Sequence, residues 1–120
     1  MGVADLHRSL ASLADEENAE ATVEPGPSYR DGAPVRVRVR KRGRRYDIDD
    51  EGAAVRLAEC PRGWLDVATS VAVADALNVN RGGVVFVPAV EGRDLAALAS
   101  RVAVTSARLY GELLELDPDT

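Results

Sequence analysis

The sequence predicts an α+β fold in which an antiparallel β-meander of three to five strands packs against a long C-terminal helix. Additional helices are expected at the N-terminus and in mid-chain. Two patterns carry this prediction. Valine and arginine alternate over residues 35–40, a period of two that is typical of a strand with one apolar face. Between residues 95 and 116, apolar residues recur every three or four positions, as in an amphipathic helix. The length of 120 residues fits a single domain, 1–120.

The first half of the chain predicts one helix followed by the meander. Leucines at helical spacing predict a helix over residues 3–17, within an N-terminal unit 1–18. Small or apolar residues alternate with polar ones at 19–24 and predict an edge strand. The other strands of the meander, which spans 19–58, are assigned to residues 35–41, 44–49 and 53–58.

The second half of the chain predicts a helix–strand–helix unit over residues 64–116. In order, we assign a helix at 64–77, a turn at 78–83, a buried strand at 84–87 that Pro88 ends, and a helix at 95–116. Asp94 is the N-cap candidate of the last helix, because its side-chain oxygen can accept a hydrogen bond from the first turn.

Charge is distributed unevenly along the chain. The net charge is −5 overall, yet residues 30–45 carry eight basic residues and one acid, for a local charge of +7. The acidic remainder argues against a chain that binds polyanions over its whole surface. The single Cys excludes an internal disulfide, and no apolar run approaches the roughly 18 residues of a membrane span. We therefore expect a cytoplasmic protein without membrane contact, and the arginine-rich, lysine-poor composition suggests a bacterial source.

The basic stretch has two interpretations. Its arginines can pair across the sheet with Glu20 and Glu24 on one neighbouring strand and with acids on the other, Asp47 and Asp49. Alternatively, the basic hairpin 36–45 can follow a phosphate backbone. We favour pairing, except at the tip of the hairpin, which lacks obvious acidic partners. The candidate binding residues are therefore those of the tip: Lys41, Arg42, Arg44 and Arg45.

No catalytic, cofactor or metal site is predicted. The single His argues against a Ser-His-Asp triad or a His-based metal site, and one Cys cannot complete a structural zinc site. The acids at 47–51 lack the spacing of a calcium loop and are interpreted as a solvated turn. Residues 81–87 resemble an RNA-recognition signature but lack its stacking aromatic residues, so we interpret them as a turn and a core strand. A small-ligand or enzyme pocket near Cys60, Arg62 and Trp64 is the alternative to a non-enzymatic protein.

The end of the last helix predicts a dimer contact. Its apolar residues fall on more than one side of the helix, so some would be exposed in a monomer. The interface candidates are Leu109, Tyr110, Leu113, Leu114 and Leu116.

A weak family likeness supports the fold class. The segment 45–57, with its Asp-Ile-Asp-Asp-Glu-Gly core, resembles the strand–turn–strand of a family of small bacterial domains of unknown function. In that family an aspartate, a β-branched residue and an Asp-Asp-Gly turn precede a strand and a helix, whereas here Glu51 is inserted before the glycine. The likeness spans residues 45–116 and implies an α+β fold but no catalytic residue.

We therefore expect a non-enzymatic protein-interaction module that is homodimeric and whose hairpin tip docks an acidic partner. Nucleic acid is the less favoured partner, because most arginines of the stretch have acidic neighbours within the predicted sheet.

Overall fold

The computed structural model describes Leu10 and residues 19–116, which form one antiparallel five-stranded sheet with helices. The strand order in the sheet is β1-β2-β3-β5-β4. The elements are β1 Glu20–Val23, β2 Val37–Arg42, β3 Arg45–Asp49, α1 Ala53–Leu57, α2 Trp64–Ala74, β4 Asn78–Val79, β5 Val85–Val90, a 3₁₀ turn at Gly92–Asp94 and α3 Leu95–Leu114. The α+β prediction is confirmed. The predicted first helix, 3–17, lies outside the described residues except for Leu10, which is helical and buried.

The alternation of valine and arginine separates the two faces of the sheet. Val39 lies opposite Ile48 of β3, and both side chains are fully buried in the core. Arg38 and Arg40 lie opposite Asp49 and Asp47 on the other face, which we call the open face. The long helix α3 packs on β2, β3 and β5, and its apolar stripe joins the valines in one hydrophobic cluster.

The predicted strand over 53–58 is wrong, because Ala53–Leu57 is the helix α1. Glu51 and Gly52 both have left-handed backbone conformations, with φ of 57° and 74°, which turn the chain out of the sheet after Asp49. Two alanines then favour a helix. The meander predicted for 19–58 therefore ends with β3, and the sheet is completed by β5 and β4.

The strand β5 runs further than predicted. It continues past Pro88 to Val90, because a bulge interrupts the ladder between the pairs Ile48–Val87 and Tyr46–Val90. Proline has no N–H for the ladder, and a bulge is a position that tolerates this. The predicted turn at 78–83 is also shorter, since its first two residues form β4.

Both predicted long helices are confirmed with small shifts at their ends, as α2 and α3. Asp94 occupies the N-cap position of α3 but makes no side-chain cap hydrogen bond. Within the described part of the chain, no helix is both long and apolar enough to span a bilayer.

Candidate functional site

The open face carries the predicted ladder of opposite charges. Arg38 lies at its centre and contacts three carboxylates: Glu20 at 3.6 Å, Asp49 at 3.1 Å and Glu51 at 3.6 Å. Partial burial acts to lower the pKa of Arg38, but the hydrogen bond to Asp49 and the three negative charges raise it above its usual value. The internal pairing predicted for the arginines of the sheet is confirmed here.

The edges of the ladder are more exposed than its centre. Arg36 contacts Glu24 at 3.3 Å, with most of the arginine side chain in solvent. Arg42 contacts Asp47 at 2.9 Å. Burial tends to raise the pKa of Asp47, but the hydrogen bonds from Arg42 and from the backbone N–H of Ala89 lower it below its usual value.

The hairpin tip, residues 41–45, is less free of acidic partners than the sequence predicts. Arg42 pairs with Asp47, and Arg45 contacts Glu91 at 3.3 Å, an acid that the sequence interpretation did not consider. Among the described residues, no carboxylate lies within ion-pair distance of Arg44. Gly43 makes the two-residue turn possible with a φ of 63°. The tip thus carries four cations, of which Arg42 and Arg45 are paired with carboxylates, whereas Arg44 has no such pair with the described residues.

A groove of about 280 Å³ runs beside this ladder. It is lined by the ladder on one side and by Phe86 and Pro88 of β5 on the other. The sequence interpretation placed residues 84–87 in a buried core strand, but of these four residues only Val85 is fully buried. Phe86 is half-buried and lies on the open face beside Asp49. The groove is open and mixes both charges, so it does not select one sign of ligand.

A second polar cluster lies inside the core and was not predicted. The hydroxyl groups of Tyr29 and Ser106 are 2.9 Å apart, and the Ser106 hydroxyl donates to Asp50 Oδ2 at 2.7 Å. Asp50 Oδ1 accepts from the backbone N–H groups of Gly52 at 2.8 Å and Val85 at 2.9 Å. One carboxylate therefore ties the turn after β3, the start of β5 and the middle of α3 together.

Asp49 and Asp50 are only 4% and 1% exposed, so the solvated turn predicted for the acids at 47–51 is wrong for both residues. Burial raises the pKa of the Asp50 carboxyl group, although hydrogen bonds from the Ser106 hydroxyl and from the backbone N–H groups of Val85, Gly52 and Ala54 act to lower it. The sequence contains a signal for this role in the Asp-x-Gly spacing, since an aspartate oxygen often accepts the N–H two residues later. Ser106 falls on the apolar stripe of α3, which points to a buried hydroxyl.

A cavity of about 250 Å³ lies next to this cluster, and we call it the Tyr29 cavity. Its polar and charged lining residues are Tyr29, Arg36, Asp50, Glu51 and Arg56. Its apolar lining residues are Ala33, Pro34, Ala53 and Leu57. Burial raises the pKa of the Tyr29 phenol, and its hydrogen bond with Ser106 and the charge of Arg56 counteract this.

Of the three cavities described for residues 19–116, none is lined by Cys60, Arg62 or Trp64. Cys60 is exposed, and it follows Glu59 in a turn where both residues have positive φ values, 46° and 62°. Trp64 is half-buried. The groove, the Tyr29 cavity and a third cavity between α2 and α3 are all lined by other residues. Within the part of the chain described here, no three acidic, His or Cys side chains are grouped as a metal site would need.

Most of the residues predicted to form a dimer contact at the end of α3 are buried within the single chain. Leu109, Tyr110 and Leu113 are buried within the single chain, at 0%, 8% and 1% exposure. The ring of Tyr110 packs edge-on against Tyr29 at 5.4 Å. The predicted contact is thereby reduced to Leu114, which is 45% exposed, and the half-buried Leu116.

Comparison of the chain with protein-family models, with curated proteins and with solved structures found no match. The resemblance of residues 45–116 to a family of small bacterial domains stays a prediction.

Proposed function

We propose that this chain is a non-enzymatic interaction module of the bacterial cytoplasm whose hairpin tip docks an acidic surface of a partner protein. The observation that carries the proposal is the excess of positive charge at residues 41–45. Four cations lie within five positions, and among the described residues no carboxylate lies within ion-pair distance of Arg44. The rest of the protein is acidic, so the tip is its main attractive surface for a polyanionic partner.

The ion pairs of the tip are of a kind that a partner can replace. The side chains of Arg42 and Arg45 are 73% and 53% exposed. Pairs between such exposed groups contribute roughly 0–1 kcal/mol each, because water and salt screen them. A partner's carboxylates can therefore displace Glu91, which is 40% exposed, at little cost, whereas Asp47 is only 18% exposed and is held more firmly. The guanidinium groups also offer fork-shaped donors that bind carboxylates in a bidentate manner.

An acidic protein fits this surface better than a nucleic acid duplex. A duplex needs a row of phosphate contacts. Beyond the tip, however, the arginines of β2 lie between the acidic rows of β1 and β3. A phosphate backbone that extended from the tip along the ladder would meet Glu20, Asp47 and Asp49 as often as arginines. The acidic patch of a protein can contact the tip without covering the ladder.

The test compares a charge reversal at the tip with the same charge change elsewhere. The probes are a glutamate-rich peptide, a lysine-rich peptide of equal length and a random-sequence DNA duplex, each titrated at low and moderate salt. We expect wild type to bind the glutamate-rich peptide, and Arg42→Glu with Arg44→Glu to abolish this binding. The control pair, Arg81→Glu with Arg101→Glu, alters exposed residues outside the tip and is expected to reduce binding only slightly.

Three results would reject the proposal. The first is the absence of any binding of the glutamate-rich peptide by wild type at low salt. The second is an equal loss of binding in the two charge-reversed pairs. The third is tighter binding of the duplex with a salt dependence that the tip variant reduces, which would establish the nucleic-acid alternative.

Self-association is a separate part of the proposal. A homodimer through the end of α3 would have to use Leu114 and Leu116, because the other candidate side chains fill the core. Sedimentation equilibrium of wild type and Leu114→Glu tests it, and a wild-type monomer at all concentrations rejects it.

A further inference from the structure

The Tyr29 cavity is lined by the exposed guanidinium group of Arg56, which a backbone carbonyl orients and which pairs with no carboxylate of the described residues. Arg56 Nη1 donates to the backbone carbonyl of Glu51 at 3.0 Å. Among the described residues, no carboxylate lies within ion-pair distance of this side chain. The group is therefore oriented by a neutral acceptor, and its remaining N–H groups and full charge are available at the cavity wall. Arg44, which also lacks such a pair, has no comparable anchor.

A second guanidinium lines the same cavity. Arg36 uses its Nε to contact Glu24 at 3.3 Å, and its side chain is 69% exposed, so its terminal nitrogens are accessible. Guanidinium groups that line the same cavity are suited to bind a carboxylate or a phosphate, because each offers a planar fork of donors.

The carboxylates of the cavity do not cancel this charge. Asp50 is 1% exposed, and both of its oxygens accept hydrogen bonds from the protein, so it does not present a free acceptor to a ligand. The carboxylate of Glu51 lies 3.6 Å from Arg38 on the open face, and only the backbone carbonyl of Glu51 contacts Arg56. The cavity therefore offers more donors than acceptors.

The rest of the lining is apolar and the volume is small. Pro34, Ala53 and Leu57 supply aliphatic surface. About 250 Å³ is just below the usual range for small-molecule sites and admits only a small ligand. We propose that the Tyr29 cavity binds a small organic anion, with its carboxylate or phosphate group at Arg56 and Arg36 and a short apolar body against Pro34 and Leu57. This site is independent of the hairpin tip.

The experiment is an NMR titration of the isotope-labelled full chain at constant ionic strength. The probes are inorganic phosphate, acetate, butyrate and benzoate. We expect saturable shifts of amide signals that are confined to residues 29–36 and 51–57. Affinity is expected to rise from acetate to benzoate, because a larger apolar body is removed from water. Tighter binding of phosphate than of every carboxylate also supports the proposal and identifies phosphate esters as the ligand class.

Variants separate the site from general attraction to positive charge. Arg56→Gln is expected to weaken binding about tenfold or more, since it removes a charged donor from the anion. Arg56→Lys keeps the positive charge but loses the planar fork of donors, so its affinity for the anion is expected to lie between those of wild type and Arg56→Gln. The matched control is Arg62→Gln, an exposed arginine that does not line the cavity, and it is expected to bind like wild type. If Arg56→Gln does not fold, Arg36→Gln provides the same comparison.

Several results would overturn the inference. They are an absence of shifts with every probe, shifts spread over arginines elsewhere such as Arg44 and Arg81, and equal losses in Arg56→Gln and Arg62→Gln. None of these results depends on the partner of the hairpin tip, so the two proposals fail separately.

Discussion

Two neighbouring acids of one segment, Asp49 and Asp50, lie in opposite kinds of environment. Asp49 faces the open side of the sheet, where Arg38 and its other carboxylates form a charged ladder. Asp50 points into the core, where backbone N–H groups and a hydroxyl donate to it. The ladder is exposed at its edges, where solvent, salt or a partner can replace the pairs of Arg36 and Arg42. The buried cluster has no substitute for its acceptor, since water does not reach it. We therefore expect the exposed end of the ladder at the hairpin tip to serve binding and the buried cluster to hold the fold.

The largest effect is expected from Asp50→Ala. The change removes the acceptor of two backbone N–H groups and of the Ser106 hydroxyl, all in a buried site. Each unsatisfied buried donor costs about 1–3 kcal/mol, so the free energy of unfolding is expected to fall by about 3–5 kcal/mol. Urea unfolding followed by circular dichroism measures the change.

The control for this variant is Asp94→Ala. That aspartate is exposed and forms no cap hydrogen bond, so its removal is expected to change the free energy of unfolding by no more than about 0.5 kcal/mol. A loss in Asp50→Ala no greater than in this control would show that the buried cluster does not stabilise the fold.

A change of pH is expected to alter the free energy of unfolding by a smaller amount. The raised pKa of Asp50 sets the direction of its part of this change. Burial disfavours the charged form in the folded state, so the folded pKa lies above the unfolded value of about 3.9. Stability from this group is then fully present below the unfolded pKa and is lost as pH rises through the folded pKa. Asp47 contributes to the pH dependence of stability in the opposite direction. Because its pKa is lowered in the folded state, its contribution to stability is lost as the pH falls.

The comparison of wild type with Asp50→Asn isolates the contribution of this group. Asn does not titrate but keeps a side-chain oxygen that can accept the N–H groups of Gly52 and Val85. We expect the stability advantage of wild type over Asp50→Asn to decrease as pH rises above about 4. Unfolding curves at a series of pH values give this difference. An advantage that grows with pH would mean that the four hydrogen bonds outweigh desolvation at Asp50.

The sequence predicted the open face better than the buried cluster, for a physical reason. Pairing between β2 and β3 follows from a period of two and a glycine turn, which are local, so Asp47 and Asp49 were placed opposite arginines correctly. The partners of Asp50 come from β5 and α3, 35 and 56 residues away in the chain, and no local pattern specifies them. The ion pair of Arg45 could not be predicted from a local pattern either, because Glu91 comes close to Arg45 only when β5 pairs with β3.

The helix α1 shows a different limit. Val55 and Leu57 alternate with alanine and arginine, which fits a strand, and the same five residues also form a short helix. The choice depends on the left-handed conformations of Glu51 and Gly52. Asp50 stabilises that turn by accepting the N–H of Gly52, so a residue buried by tertiary contacts decides the local structure. The Tyr29 cavity depends on α1 and on the loop at residues 29–34 together, and was therefore not predicted.

The smallest effect is expected within the ladder, between its centre and its edge. Arg38 is 28% exposed and contacts three carboxylates, whereas Arg36 is 69% exposed and contacts one. Arg38→Gln leaves the buried Asp49 with weaker compensation and is expected to cost about 1 kcal/mol. Arg36→Gln is expected to cost less than about 0.5 kcal/mol, because its pair is exposed.

Added salt is expected to erase the cost at Arg36 and to leave most of the cost at Arg38, since screening acts mainly on exposed charges. Thermal unfolding of both variants at low and high salt measures this. Equal costs with equal salt dependence would mean that the ladder is one uniform exposed surface, and that its centre holds no more of the fold than its edge.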